Sequence, residues 1–95
     1  MVTYIPVRIS GTEETGIQVW ELGRYHSLVA ARNERNDQIE KDAEHLIHHS
    51  GPRGYVGIAP TGFLGMAVTL HAADGTVECQ RIFEIYSCTS RIASG

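Results

Sequence analysis

The histidines are the residues of this chain with the most evident capacity for chemistry. His45 and His49 stand four positions apart, one turn of a helix, so their imidazoles share a face; His48 is adjacent, and His26 and His71 could join them from elsewhere. Such an i, i+4 pair can present two imidazoles to a metal. The stretch lacks the HExxH order, however, and histidines in a last helical turn have a simpler role in meeting the carbonyl end of the helix dipole. The two thiols are weaker candidates. Cys79 is expected in the core, where a thiol is inert, and no local motif surrounds Cys88. GPRGYVG, residues 51–57, lacks the Lys-Ser/Thr ending of a phosphate loop and follows a helix rather than opening one. The sequence therefore assigns no catalytic residue, no metal and no cofactor.

The stretch that would position most other candidates is LGMAVTLHAADGTVECQRIFEIY, residues 64–86. Asp74-Gly75 between two apolar-rich runs is a strong hairpin signal, because a two-residue turn needs positive φ at both centres. If Ala73 opposes Thr76, then Leu70 opposes Cys79, Met66 opposes Phe83 and Leu64 opposes Ile85, giving one apolar face. Arg81 falls on that face, opposite Val68. A guanidinium there could hold a carboxylate or phosphate; the structural reading is an ion pair with Glu40 or Glu44 of the helix, an extension to the sheet rim, or a bulge that turns it outward. On the other face His71 opposes Glu78. A carboxylate can orient and charge an imidazole, but opposed unlike charges are also ordinary cross-strand stabilisation worth about 0.2–1 kcal/mol.

The remaining elements are read in order. Val2–Ser10 alternates Ile5, Val7 and Ile9 against Tyr4, Pro6 and Arg8, a half-buried strand. Pro6 makes it an edge strand, or one unpaired on one side at that point. Ile17–Leu22 forms a second strand that Gly23 ends. Residues 27–50 are helical: Ile39, Ala43, Leu46 and Ile47 keep amphipathic spacing, and Asp37 with Glu40 fits a capping box. Upstream, Ser27 can cap an earlier segment from Leu28, with the polar run 32–38 left in solvent, so one long helix is favoured over two. Gly51-Pro52 ends it. Tyr55–Ala59 is a third strand, Pro60-Thr61-Gly62 a turn, and residues 87–95 a frayed tail. The expected fold is α+β, a single domain over 1–95 with one main helix packed on a mostly antiparallel sheet of about five strands, order β-β-α-β-β-β.

Composition narrows the function. Ninety-five residues suit one hydrophobic core. A net charge of -3 argues against bulk electrostatic attachment to nucleic acid or membrane, and no apolar run has the length to cross a bilayer. Seven of the eight basic residues are Arg, but they are scattered. Cys79 and Cys88 are nine positions apart; if Cys88 continues the strand they stand about 30 Å apart at 3.3 Å per residue and cannot pair. Two free thiols and the absence of a signal-peptide pattern lead to an expected cytoplasmic location.

Three readings follow. The first is a small binding or interaction domain, without chemistry of its own, that forms a homodimer through its outer sheet face at Tyr55, Gly57, Gly65, Ala67 and Ile82, where small residues suggest another surface comes close. The second is a receptor or enzyme with a pocket for a small anionic ligand at Arg81, bordered by Trp20, Tyr25 and Tyr86. The third is a regulator docking on a larger complex through Arg24, Arg32 and Arg35.

Overall fold

A computed structural model describes residues 1–12, 14–50 and 54–89. Five strands, β1 (Val2–Thr12), β2 (Gly16–Glu21), β3 (Tyr55–Pro60), β4 (Met66–His71) and β5 (Val77–Thr89), form one antiparallel sheet in the order β2-β1-β5-β4-β3. Among the described residues a single helix, α1 (Leu28–Ser50), joins the two outermost strands and packs across β1, β3, β4 and β5. The fold is α+β as the residue pattern implies. No helix among the described residues is long and apolar enough to cross a membrane.

The helix is one piece. Ser27 caps it, its hydroxyl accepting from the Ala30 N–H and its carbonyl from the Ala31 N–H. Asp37 and Glu40 consequently lie in mid-helix, exposed, where no free N–H groups need capping. The polar run does not stand wholly in solvent. Ala31, Arg35, Ile39, Asp42 and Leu46 recur at three- and four-residue steps and form one stripe toward the sheet; Ala31, Ile39, Asp42 and Leu46 are buried, and the Arg35 Nη1 donates to the Leu64 carbonyl at 2.7 Å. Two members of this stripe are charged, which hides it from a search for apolar periodicity alone. The Gly51-Pro52 stop lies outside the described residues.

The core lies between α1 and one face of the sheet. Ile39 and Leu46 meet Val68, Leu70 and Phe83, ringed by Leu22, Ala43, Val56, Met66 and Cys79. Phe83 has no exposed surface, and burying one such side chain contributes about 1.5–3 kcal/mol.

Register across β4 and β5 matches expectation from Met66↔Phe83 to Leu70↔Cys79, with Val68↔Arg81 between, but the route to it differs. The turn contains three residues rather than two: the Gly75 N–H donates to the Ala72 carbonyl, the Ala72 N–H to the Thr76 carbonyl, and only Gly75 has positive φ, 89°. That shift of one position is undone by a bulge at Leu70/His71, where the chain meets Val77 instead of Glu78. His71 therefore faces Val77. Its ring stacks on Tyr55, centroids 4.6 Å apart, and the expected His71 and Glu78 pair does not form.

Pro6 does not make β1 an edge. β1 lies inside the sheet between β2 and β5. Pro6 faces Ile85 on β5, while its carbonyl accepts from the Leu22 N–H just beyond the end of β2. Carbonyl and N–H of one strand residue point to the same side, so the missing donor falls on the β2 side, at this terminal rung opposite Leu22, and Pro6 is unpaired there only for that one bond. β5 also runs further than expected. Ser87, Cys88 and Thr89 pair with Tyr4, Thr3 and Val2, so the strand absorbs the first part of the supposed tail; residues 90–95 lie outside the described set.

Two predictions follow from these turns. A Cβ on Gly65 would collide with Thr61 Oγ1 and lie 2.7 Å from Glu84 Oε1. Gly65→Ala is expected to cost about 1–2 kcal/mol in chemical denaturation, and less in a Thr61→Ala background. Hydrogen bonds from Thr76, its side chain first and then its backbone N–H, hold the Asp74 carboxyl below its ordinary value. A depressed folded-state value stabilises at pH above the unfolded value and is lost as pH falls through the folded one. The stability difference between wild type and Asp74→Ala should thus be constant around neutrality and shrink in acid below the ordinary aspartate range.

Candidate functional site

Two surfaces have unusual composition, one on each side of the sheet. The first is set by β1. Pairing of Arg8 with Phe83 and of Pro6 with Ile85 places Tyr4, Pro6 and Arg8 under the helix. Arg8 and Arg81 therefore share a face, on neighbouring strands and two residues out of register. Arg8 also opposes Trp20 on β2, and its guanidinium lies over the indole, 4.7 Å from the ring centre.

From above, α1 brings Gln38, Lys41, Asp42 and His45 to the same place. These four with Arg8 and Arg81 line a cavity of about 260 Å³ at the seam of helix and sheet. Arg81 Nη1 donates to Asp42 Oδ1, forming a salt bridge in which the Asp42 side chain is nearly enclosed. The partner is Asp42 and not Glu40 or Glu44, because Asp42 lies three residues after Ile39 and four before Leu46, on the buried stripe; Glu40 and Glu44 are exposed. Asp42 Oδ2 and Arg8 Nε are buried without a hydrogen-bond partner in the protein.

The anticipated borders of this pocket are only partly assembled. Trp20 reaches it through Arg8. Tyr25 pairs with Tyr4, exchanging backbone hydrogen bonds of 2.6 and 2.9 Å; Tyr4 faces Ser87, six residues from Arg81 and thus about 20 Å along the strand. Tyr86 faces Ile5 on the opposite side of the sheet. Strand parity separates it from Arg81. Arg8, Asp42 and Lys41, which composition did not single out, take their places: β1 carries Arg8 to Arg81 only through its long-range pairing with β5.

The second surface is the uncovered face. A transverse row crosses all five strands as Ala59, Ala67, Ile82, Ile9 and Val19. Beside it stand Val7 between Glu21 and Glu84, then Ile5 and Tyr86, and on the other flank Gly57, Thr69, Gln80 and Ile17. Ile17 is 71 % exposed and Val19 55 %. The anticipated Ala67 and Ile82 sit in this row, and Gly57 and Tyr55 lie toward β3. Gly65 is buried under Thr61 and the Glu84 carboxylate, so its small size answers to a contact within the chain. The larger part of the apolar face, on β1 and β2, lies beyond the residues first singled out.

The remaining candidates are placed as follows. Arg24 pairs with Glu21 at 3.1 Å, and that hydrogen bond and charge raise its already high pKa. Burial, and then Arg32, push the Arg35 guanidinium below its ordinary value as it reaches Leu64. Two of the three arginines considered for docking are thus engaged within the chain. Cys79 and Cys88 are unpaired thiols, Cys88 exposed. Among the described residues no three His, Cys, Asp or Glu side chains gather as metal ligands.

Compared with protein-family models, curated proteins and solved structures, the chain finds no significant match. Its functional reading rests on its own residues.

Breaking the ion pair from one side leaves a charge half enclosed. Asp42→Ala is expected to lose about 2–3 kcal/mol, toward the lower end for a buried pair because Arg81 is partly exposed, whereas Asp42→Leu with Arg81→Met should recover most of that loss. Urea denaturation of the single and double variants measures the difference.

Proposed function

We propose that the chain is an interaction domain that associates with a second copy of itself through the uncovered face of its sheet. The supporting observation is the orientation of β1: its apolar set, Ile5, Val7 and Ile9, faces away from the helix, while Pro6 and Arg8 face it. A sheet apolar on both faces calls for a cover on both. Helix α1 supplies one.

A second copy fits the other face in extent and in chemistry. Five strands spaced about 4.8 Å, taken over about six residues of 3.3 Å each, make a face of roughly 500 Å²; two such faces bury about 1,000 Å², the lower bound for a specific interface. A two-fold axis crossing β5 at Ile82, perpendicular to the strands, stacks the apolar rows of the two copies. The same axis brings Glu84 of each copy opposite Gln80 of the other, since these flank Ile82 by two residues on either side. A carboxylate acceptor then meets an amide whose other hydrogen bond, to Thr69 Oγ1, leaves one N–H available. This is an isologous contact of two aligned sheets.

Sedimentation equilibrium should give a dimer at micromolar concentration. Val19→Lys, at an exposed edge position, should shift it to monomer without loss of thermal stability in the monomer. Gln80→Glu, which sets like charges opposite each other, should weaken the dimer at least tenfold, and adding Glu84→Gln should restore it. A wild-type chain that remains monomeric at high micromolar concentration would overturn the proposal.

A further inference from the structure

We infer that Tyr86 of each copy inserts into a cleft in the sheet of the other; the inference rests on the self-association proposed above and names the contact that anchors it. The cleft is a fork between two hairpins. The β1 and β5 ladder stops at Ile9↔Ile82, and the next rung of that register, Gly11 with Gln80, is not formed. Beyond it β1 continues with β2 as far as Thr12, while β5 stays with β4 back to Val77. The gap holds a cavity of about 400 Å³, whose walls include Ile9 and Ile17 on one arm and Val77, Glu78, Gln80 and Ile82 on the other.

Two local features keep the fork open. Ile5, Val7 and Ile9 face away from the helix, so by alternation the next wall residue on β1 is Gly11, which has no side chain to give. Its φ is 121°, and a Cβ there would collide with the Gly16 carbonyl, so no other residue fills the place. On the other arm, the bulge at Leu70/His71 adds twist to β4 and β5 close to where they part from β1.

The two-fold axis through Ile82 selects what enters. It sets residues equally far before and after Ile82 against each other, so Tyr86, four positions on, meets Glu78, four positions back, at the mouth of the cavity. Tyr86 lies on the uncovered face and is 50 % exposed in the single chain. Apolar space of roughly 150 Å³ is enough for a benzene ring, so the cavity admits a phenol. Ile9, Ile17 and Ile82 receive the ring, and the hydroxyl has the Glu78 carboxylate or the backbone of Gln80 as a partner. The Gln80 backbone points the right way: Tyr4 turns its N–H and C=O toward Tyr25, so by alternation Ile9 turns its own toward Ile82, and Gln80 continues that row into the gap. The symmetry makes the contact twice in each dimer.

Sedimentation and photo-cross-linking of the full chain test the insertion. Tyr86→Thr keeps a strand-forming residue and removes the ring; it should weaken the dimer at least tenfold, as loss of an aromatic anchor does, while the dilute monomer unfolds close to the wild-type temperature. In a second experiment 4-azidophenylalanine replaces Tyr86 and retains a ring at that position. Within one chain, positions 86 and 78 stand about 26 Å apart along β5, so illumination should yield a covalent dimer in which position 86 of one copy is joined to Ile9, Ile17 or residues 77–80 of the other. If Tyr86→Thr does not fold, the cross-link decides. A dimerising wild type whose affinity changes less than tenfold in Tyr86→Thr, or whose cross-links all fall elsewhere, would overturn the insertion and leave the self-association standing. A wild-type chain that stays monomeric at high micromolar concentration overturns both.

Discussion

The pairing of β1 with β5 is the constraint on which the rest depends. Setting Arg8 opposite Phe83 and Ile9 opposite Ile82 fixes, by strand parity, which half of β1 lies beneath the helix. One step of slip would bury Ile5, Val7 and Ile9 and turn both Pro6 and Arg8 outward. In the observed register the opposite holds. Helix and sheet enclose an arginine next to a second arginine, and three β-branched residues are left on the open side.

These two results of one register divide the molecule chemically. On the helix side, aliphatic packing around Phe83 gives way to a charged seam in which Asp42 neutralises only part of what faces it. On the open side, a row of small and branched residues runs from edge to edge, interrupted near its centre by the polar flank of Gln80 and Glu84. The helix side satisfies its fold largely within the chain; the open side does so less evenly, for Val7 is buried and Ile5, Ile9 and Ile82 are partly buried by their own neighbours while Ile17, Val19 and Tyr86 stand exposed.

How far residue order foretells this structure depends on the range of the interactions involved. The β4 and β5 hairpin is legible because turn chemistry and alternation are local, although the agreement of register conceals two compensating irregularities, a longer turn and a bulge, that alternation cannot distinguish from none. The helix is legible in extent but not in its buried stripe, since Arg35 and Asp42 occupy positions that an apolar count passes over. The interior place of β1 is legible only through the lesser alternative, a strand unpaired on one side at Pro6. Pro6 argues for an edge by a sound local rule, and it is harmless because only the one bond at the terminal rung opposite Leu22 is lost. The pocket inherits that difficulty, for Arg81 stands out as an anomaly on its own strand while Arg8 looks like an ordinary outward-facing residue until its neighbour across the sheet is known.

The sheet order also bears on how the chain reaches its native state. The β1 and β2 hairpin and the β3, β4, β5 meander each form from neighbouring segments, but they join only where the first strand meets the fifth, the contact of greatest sequence separation in the fold. Loop-closure entropy must be overcome there before the central burial is gained. A chain in which that pairing is not yet made leaves both inner edges open, β1 with its unpaired backbone and Ile5, Val7 and Ile9 uncovered, and so offers a neighbouring chain the same strand that the finished sheet keeps in its middle.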